Sequence, residues 1–308
     1  MSSAARHHEL LMKIRPWKGS VSKGAQVDFL GIKTRTSFFT GLKPFELEGF
    51  SAPPLPEFDE SYFEWVDLLE AVKAARGDFT MMELGAGYGR WLVRAAFAAT
   101  HFGDFRCKFI GVEAEPSHFE WMNYHFRDNG LDPEKHTLIQ GAVSGRDGEA
   151  RFLVGSPDEW YGQRIALLED FGKVAIQRIK ALPARSSRSS CAETEGESFR
   201  YGIEKVKTVS LNTLLRDVNR ADLIDLDVQG AELEVLKSAK SALERKAARV
   251  HVGTHNGKVE SGLRSLFSEM GWTKVFDFPC GGASETPWGR VAFVDGVQSW
   301  ANPDLTFR

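Results

Sequence analysis

Residues 82–91 read MELGAGYGRW, and the mostly apolar run at 79–84 (FTMMEL) predicts a β-strand that leads into them. Gly85, Gly87 and Gly89 then predict a tight turn into a helix, because glycine tolerates positive φ and lets a ligand approach the backbone closely. A dinucleotide-binding turn has the spacing GxGxxG, which would place the third glycine at position 90, where this chain has Arg. The turn therefore favours another ligand, although a glycine-rich turn without any ligand remains the alternative.

Two carboxylates accompany this turn. Glu83 ends the first strand, where it suits a cationic ligand better than a pyrophosphate, and S-adenosylmethionine (SAM) carries an ammonium and a sulfonium group. Glu113 ends the next predicted strand, 108–113 (KFIGVE), and a carboxylate there can accept hydrogen bonds from both hydroxyls of a ribose. Glu115 is the reserve candidate, and a solvated charge at a strand end is the alternative. Together the turn and Glu113 predict a nucleoside-binding site.

The third predicted strand, 137–142 (TLIQGA), brings further residues to this site. Ala142 and Val143 would lie near an adenine and contact it through backbone groups and apolar surface, although core packing is the alternative for both. The predicted cofactor-binding residues are Glu83, Gly85, Ala86, Gly87, Tyr88, Gly89, Glu113, Ala114, Ala142 and Val143.

Strand-like and helical runs alternate from residue 79 onward, which predicts an α/β fold with a parallel sheet and helices on both faces. Further strands are expected at 222–228 and 248–254, an edge strand at 148–154, and a hairpin-joined pair at 273–278 and 289–295. Helices are expected at 59–76, 88–101, 116–129, 230–246 and 258–270. Residues 57–308 form one domain in this interpretation. Residues 1–56 form an irregular extension that could cover an acceptor site, and residues 183–200 form a mobile loop.

Composition excludes several classes of protein. The 308 residues carry a formal net charge of -3, which argues against a nucleic-acid partner. Three cysteines, far apart and odd in number, predict neither a disulfide framework nor a CxxC metal site, and favour the cytoplasm. No run approaches the roughly 18 apolar residues that span a membrane, so no membrane insertion is expected. A homo-oligomer is compatible with this composition.

Four stretches together resemble the FkbM-type family of SAM-dependent methyltransferases. They are ELGAGYGRW, GVEAEPSHFEWM, GAVSGRDGEARFLV and, most specifically, VKTVSLNTLL followed by ADLIDLDVQGAELEVLKSA. The resemblance covers about residues 79 to 295. It implies the Rossmann-like class I methyltransferase fold, a seven-stranded, mostly parallel sheet whose last strand is antiparallel. It also implies methyl transfer from SAM to a hydroxyl, often on a sugar, glycan or natural product.

Two positions depart from the pattern of that family. Where the family commonly has a Lys two positions before the motif Asp and a Glu two positions after it, this chain has Asp225 and Gln229. A methyltransferase-like binding domain without turnover is therefore one alternative function. An NAD-dependent oxidoreductase is the other, and Arg at position 90 disfavours it. The stretch DVQG also lacks the D/N-P-P-aromatic turn of enzymes that methylate bases.

Methylation of a hydroxyl requires a group that removes its proton, which is typically worth about 10²–10⁴-fold in rate. Asp227 is the first candidate, because it follows the predicted strand 222–228 at the ligand-binding edge of the sheet. His255 is the second candidate, since the neighbouring strand 248–254 ends beside it, and Asn256 could contact the acceptor there. Glu232 suits either catalysis or the start of a helix. Asp227, Glu232 and His255 could also bind a divalent metal, which the spacing alone does not require.

Aromatic residues near the predicted cofactor mouth are candidates for acceptor binding. Trp160, Tyr161 and Gln163 follow the edge strand, and their alternative is an exposed loop that packs on its own domain. The Phe38–Phe39 pair of the extension could close the acceptor pocket, or it could pack against the helix at 59–76.

Overall fold

A computed structural model describes residues 7–45, 48–158, 160, 162–180 and 201–306. The helices within these ranges are α1 Glu9–Lys13, α2 Ser61–Ala74, α3 Arg90–Phe102, α4 Pro116–Asp128, α5 Leu168–Lys180, α6 Leu211–Arg216, α7 Glu232–Ser238, α8 Lys240–Lys246, α9 Gly257–Glu269 and α10 Pro303–Thr306. Short 3-10 turns lie at Thr40–Phe45 and Pro133–Lys135. Within the described part of the chain, no helix is long and apolar enough to cross a membrane.

The strands of the same ranges are β1 Gly19–Val21, β2 Ala25–Val27, β3 Lys33–Arg35, β4 Gly49–Ser51, β5 Asp78–Leu84, β6 Arg106–Glu113, β7 Thr137–Gln140, β8 Ala142–Ser144, β9 Gly148–Val154, β10 Arg164–Ile165, β11 Gly202–Ser210, β12 Leu223–Leu226, β13 Arg249–Thr254, β14 Thr273–Phe278, β15 Gly282–Thr286, β16 Gly289–Phe293 and β17 Gly296–Ala301.

A seven-stranded sheet in the order β14-β17-β13-β12-β5-β6-β7 forms the centre of the molecule. Strands β13, β12, β5, β6 and β7 are parallel, whereas the last strand, β17, runs antiparallel between β13 and β14. This confirms the predicted Rossmann-like α/β fold with its antiparallel last strand. Because the parallel strands all point the same way, their carboxyl ends meet at one edge of the sheet.

Apolar residues cover both faces of this sheet. One core packs α2 and α3 on it and includes Phe63, Leu69 and Phe109, while the other lies under α6 to α9 and includes Leu226 and Phe267. Strands that are buried on both faces have nearly continuous apolar sequences, which is why β5, β6, β12 and β13 were predicted to within about two residues.

Several predicted elements were wrong in detail. Strand 273–278 does not form a hairpin with 289–295; it pairs with β17, while β16 pairs with β15. The helix expected at 230–246 is two helices, α7 and α8, that meet at Ala239. Strand 137–142 ends at Gln140, and Ala142 begins β8 of a separate four-stranded sheet, β10-β9-β11-β8. The extension also contains α1 and four short strands. The segment 183–200 lies outside the described residues.

Candidate functional site

A cavity of about 410 Å³ lies at the edge of the sheet where β5, β6, β12 and β13 end. Most of the predicted site residues line it, namely Glu83, Gly85, Ala86, Gly87, Tyr88, Glu113, Ala114, Ala142, Val143, Trp160, Gln163 and Asp227. Its volume falls in the range of roughly 300–1,000 Å³ that is typical of small-molecule sites.

The glycine turn needs its glycines for conformation and for space. Gly85 has a φ of 82°, and a Cβ there would overlap the carbonyl oxygen of Asp227. Gly87 has a φ of 52°, and its Cβ would lie 2.7 Å from the ring of Trp160. Gly89 precedes the first residue of α3, and a Cβ there would lie 2.8 Å from the side chain of Met122. Gly89 is not among the residues that line the cavity. The turn thus lets β12 and an aromatic ring approach its backbone.

The carboxylate of Glu83 is largely taken up by the protein itself. Its oxygens accept hydrogen bonds from the backbone N–H groups of Trp91 at 3.1 Å and Leu92 at 3.0 Å, so Glu83 holds the first turn of α3 against β5. Burial raises the pKa of Glu83 to about 8. Glu83 lines the cavity, but its hydrogen bonds position the turn.

Glu113 stands beside the turn at the end of β6. Its oxygens accept hydrogen bonds from the N–H of Gly87 at 2.8 Å and from that of Glu115 at 2.7 Å. Burial raises the pKa of this carboxyl to about 7. Glu115, the reserve candidate, accepts a hydrogen bond from the N–H of His118 and so caps α4.

Aromatic side chains form a wall over the turn. Trp160 stacks on His118, with ring centroids 4.1 Å apart and an angle of 4° between the planes, and Phe39 contacts Trp160 edge to face. Phe38 stacks on Trp121. The Phe38–Phe39 pair therefore packs beside the cavity rather than in the core of α2, which corrects the second of the two roles considered above. The sequence alone could not decide between the two roles, because partners such as Trp121 and Trp160 are 80 or more residues away along the chain.

A histidine lies between two carboxylates beside Asp227; neither His255 nor Glu232 is among the residues that line the cavity. His255 Nε2 lies 3.2 Å from Asp227 Oδ1, and His255 Nδ1 lies 3.0 Å from Glu232 Oε1. Burial opposes the charge on the ring, but the hydrogen bonds and negative charges of both carboxylates outweigh it and raise the pKa of His255 to about 10. Glu232 also accepts a hydrogen bond from the N–H of Gly230. The imidazole is therefore protonated at neutral pH, and it fixes the position of Asp227.

Gln229 lies beside Asp227 and His255 and has an unusual backbone conformation. Its φ is 55°, the one positive value for a residue other than glycine in the ranges described above. Its side-chain amide donates to Asp227 Oδ1 at 3.2 Å and lies 2.9 Å from His255 Nε2. The left-handed conformation directs this amide toward both residues.

A polar cluster that was not predicted from the sequence extends from the cavity into the contact between α2 and the sheet. Glu64 and Asp67 of α2 face β12 and β13, where Asp67 accepts hydrogen bonds from Arg249 at 2.6 Å and from His251 Nδ1 at 2.7 Å. Glu64 lines the cavity together with Asp225 and His251. Two carboxylates three residues apart among the apolar residues Phe63, Val66 and Leu68 were the available signal.

The predicted acceptor-binding residues have different positions. Trp160 lines the cavity, and so does Gln163, which accepts a hydrogen bond from Gly155 N–H at 3.2 Å. Asn256 caps α9 through the N–H of Val259 and is not among the residues that line the cavity. Tyr161 lies outside the described residues.

Comparisons with known proteins give matches at the level of sequence family and of overall structure. The model of the family described as Methyltransferase FkbM domain matches residues 83–275. A protein of Jannaschia sp. (strain CCS1) named "Putative methyltransferase" is 26% identical over 292 residues, which cover 93% of this chain and 95% of that protein.

Two solved structures illustrate the structural matches. Methyltransferase FkbM from Methylobacillus flagellatus KT has a TM-score of 0.43 and 12% identity, over 73% of this chain and 44% of that one. Precorrin-6y C5,15-methyltransferase from Geobacter metallireducens GS-15 has a TM-score of 0.37 and 10% identity, over 77% of this chain and 87% of that one. The chain thus spans less than half the length of the first of these structures.

Proposed function

Because the chain belongs to the FkbM methyltransferase family, we propose that it transfers the methyl group of SAM to a hydroxyl of a sugar, glycan or natural product. The observation that carries this proposal is one cavity that is lined by Glu113, by the glycine turn and by Asp227. Glu113 and the turn suit a nucleoside, and Asp227 offers a base to an acceptor beside it. SAM supplies a methyl group bound to a positively charged sulfur.

The cofactor half of the proposal rests on Glu113, Gly87 and Trp160. Glu113 lies at the tip of β6 within hydrogen-bond distance of the turn, where a carboxylate can accept both hydroxyls of a ribose. The absence of a Cβ at Gly87 makes room for the ring of Trp160, which covers the turn. An adenine between this ring and Ala142 would be enclosed by aromatic and apolar surface.

The acceptor half rests on the contrast between Asp227 and His255. The side chain of Asp227 is 52% exposed and lines the cavity, so one of its oxygens can reach the hydroxyl of an acceptor. His255 is protonated between two carboxylates and cannot take up a further proton. Asp227 is therefore the proton acceptor in this proposal, and His255 is its positioning residue.

Calorimetric titration with S-adenosylhomocysteine, the product left after methyl transfer, tests the cofactor half. We expect micromolar binding that is lost in Glu113→Ala and retained in Glu134→Ala, which removes an exposed carboxylate from the turn at Pro133–Lys135. NADH serves as the control ligand. Binding of NADH but not of S-adenosylhomocysteine would replace the methyltransferase by the oxidoreductase alternative.

Turnover tests the acceptor half. Release of S-adenosylhomocysteine is measured with a panel of hydroxylated sugars, glycans and natural products, and Asp227→Asn is expected to lower kcat by about 10²–10⁴-fold. Binding of S-adenosylhomocysteine without turnover on any acceptor would favour the binding domain without catalysis.

We also propose a reducing compartment, the cytoplasm, as the site of action. Cys107 and Cys280 are free thiols, which supports the expectation from the spacing of the cysteines. Labelling of the chain in intact cells with a thiol reagent, followed by mass spectrometry, would detect both thiols in reduced form.

A further inference from the structure

Three potential ligand atoms converge on the floor of the cavity. Glu64 of α2, Asp225 of β12 and His251 of β13 each place one oxygen or nitrogen within 4.8 Å of the others. Asp225 and His251 are direct partners in the parallel pairing of β12 and β13, so their side chains share the face that α2 covers. All three residues line the cavity.

Asp225 is buried without a compensating partner. The residue is only 7% exposed, yet neither of its oxygens has a hydrogen bond or an ion pair with the part of the chain that the structure describes. A buried carboxylate without a hydrogen-bond or ion-pair partner is stabilised by a cation that reaches it from the cavity.

His251 is oriented as metal-binding histidines commonly are. Its Nδ1 lies 2.7 Å from Oδ2 of the fully buried Asp67, and Arg249 neutralises the other oxygen of that carboxylate. Histidines that bind metals usually donate their second ring N–H to a carboxylate or carbonyl in this way. Nε2 of His251 is then the nitrogen available to a metal. Both nitrogens of His255, by contrast, already lie against carboxylates.

We propose that Glu64, Asp225 and His251 bind a divalent transition-metal ion on the floor of the cavity. Two carboxylates and an imidazole suit Mn²⁺, Fe²⁺ or Zn²⁺, whereas Ca²⁺ takes oxygen ligands alone. Three protein ligands leave coordination positions open toward the cavity, so an oxygen of the bound substrate can complete the site. This site differs from the set Asp227, Glu232 and His255, and its existence does not depend on the proposed methyl transfer.

The proposal is tested by titrating the EDTA-treated full chain with MnCl₂ and ZnCl₂. Calorimetry measures the binding of both ions, and the EPR signal of free Mn²⁺ measures the binding of Mn²⁺. We expect one ion per chain, with affinity about tenfold or more weaker in Asp225→Asn, because one ligand charge is lost. Asp227→Asn, two residues along the chain and outside the proposed ligand set, is the matched control and should change the affinity less than about twofold. Circular dichroism of each variant confirms that it is folded.

Failure to bind either ion, or equal affinity in the wild type and Asp225→Asn, would overturn the proposal. Binding that is lost in Asp227→Asn but kept in Asp225→Asn would also overturn it, and would place the metal at His255 instead. Titration of the same metal-free samples with S-adenosylhomocysteine separates this result from the proposed function. A chain that binds S-adenosylhomocysteine but no metal refutes the metal site alone, and the opposite result refutes the cofactor half alone.

Discussion

Substitution of Gly85 by Ala should destabilise the protein through two separable effects. At a φ of 82° a residue with a side chain costs about 1–2 kcal/mol. The added Cβ would also overlap the carbonyl oxygen of Asp227 and lie 2.9 Å from its carbonyl carbon, and overpacking of this kind typically costs about 1–3 kcal/mol. Because the contact is with backbone, the chain at the end of β12 must move to relieve it. We expect a loss of about 2–5 kcal/mol of unfolding free energy.

Gly77→Ala is the matched control for this substitution. Gly77 has a similar φ of 75°, but nothing lies within 4 Å of a Cβ built there. It should therefore lose only the conformational part, about 1–2 kcal/mol. Urea unfolding measures both variants, and with an m-value of about 3 kcal/mol/M a loss of 3 kcal/mol lowers the midpoint by about 1 M. If Gly85→Ala is no less stable than Gly77→Ala, the close approach of β12 to the turn is not a constraint on the fold.

Three further outcomes are expected. Asp67→Asn leaves Arg249 without its buried partner and should lower the free energy of unfolding in urea by about 3–5 kcal/mol. Asp78→Asn, at an exposed ion pair, should lower it by less than about 1 kcal/mol. Similar losses in the two variants would contradict a stabilising role of the buried pair. The pKa of His255 is raised to about 10, so its charged form contributes its full stability below the ordinary pKa of histidine, and this contribution declines as pH rises through 10. The free energy of unfolding should therefore fall between pH 8 and about 10 in the wild type and fall less in His255→Gln. Parallel curves for the two proteins would contradict this. Trp160→Ala should weaken calorimetric binding of S-adenosylhomocysteine by about tenfold while Trp160→Phe keeps most of it, and unchanged affinity in both would exclude a stacking role.

The parts of the fold that depend on local pattern could be predicted from the sequence. Strands β5, β6, β12 and β13 are apolar runs with clear ends, so their parallel order and their common edge followed directly. Strand β17 was missed because its sequence, GVQSWA, places Gln298 and Ser299 in a fully buried strand. Gln298 is tolerated there because it donates to the carbonyl oxygen of Glu260 and accepts from the indole of Trp300. The bond to Glu260 spans 38 residues of the chain and leaves no local pattern.

The parts of the candidate site that follow strands could also be predicted from the sequence, whereas the parts on α2 could not. Glu113, the glycine turn and Asp227 follow strands, so parallel order alone brought them to one cavity, and the expected approach of His255 to Asp227 is present. Glu64 and Asp67 lie on a helix before the sheet. Their partners are up to 184 residues away, and nothing in the spacing of the chain relates them.

The backbone of Gln229 has a consequence for attempts to improve this protein. A left-handed residue with a long side chain costs about 1–3 kcal/mol, and Gly at the same position would avoid that cost. The same side chain donates a hydrogen bond to Asp227, so the more stable variant would lose a contact that orders the proposed proton acceptor. Selection for heat resistance should therefore favour Gln229→Gly, and selection for turnover should retain Gln, so the two selections would diverge at this residue.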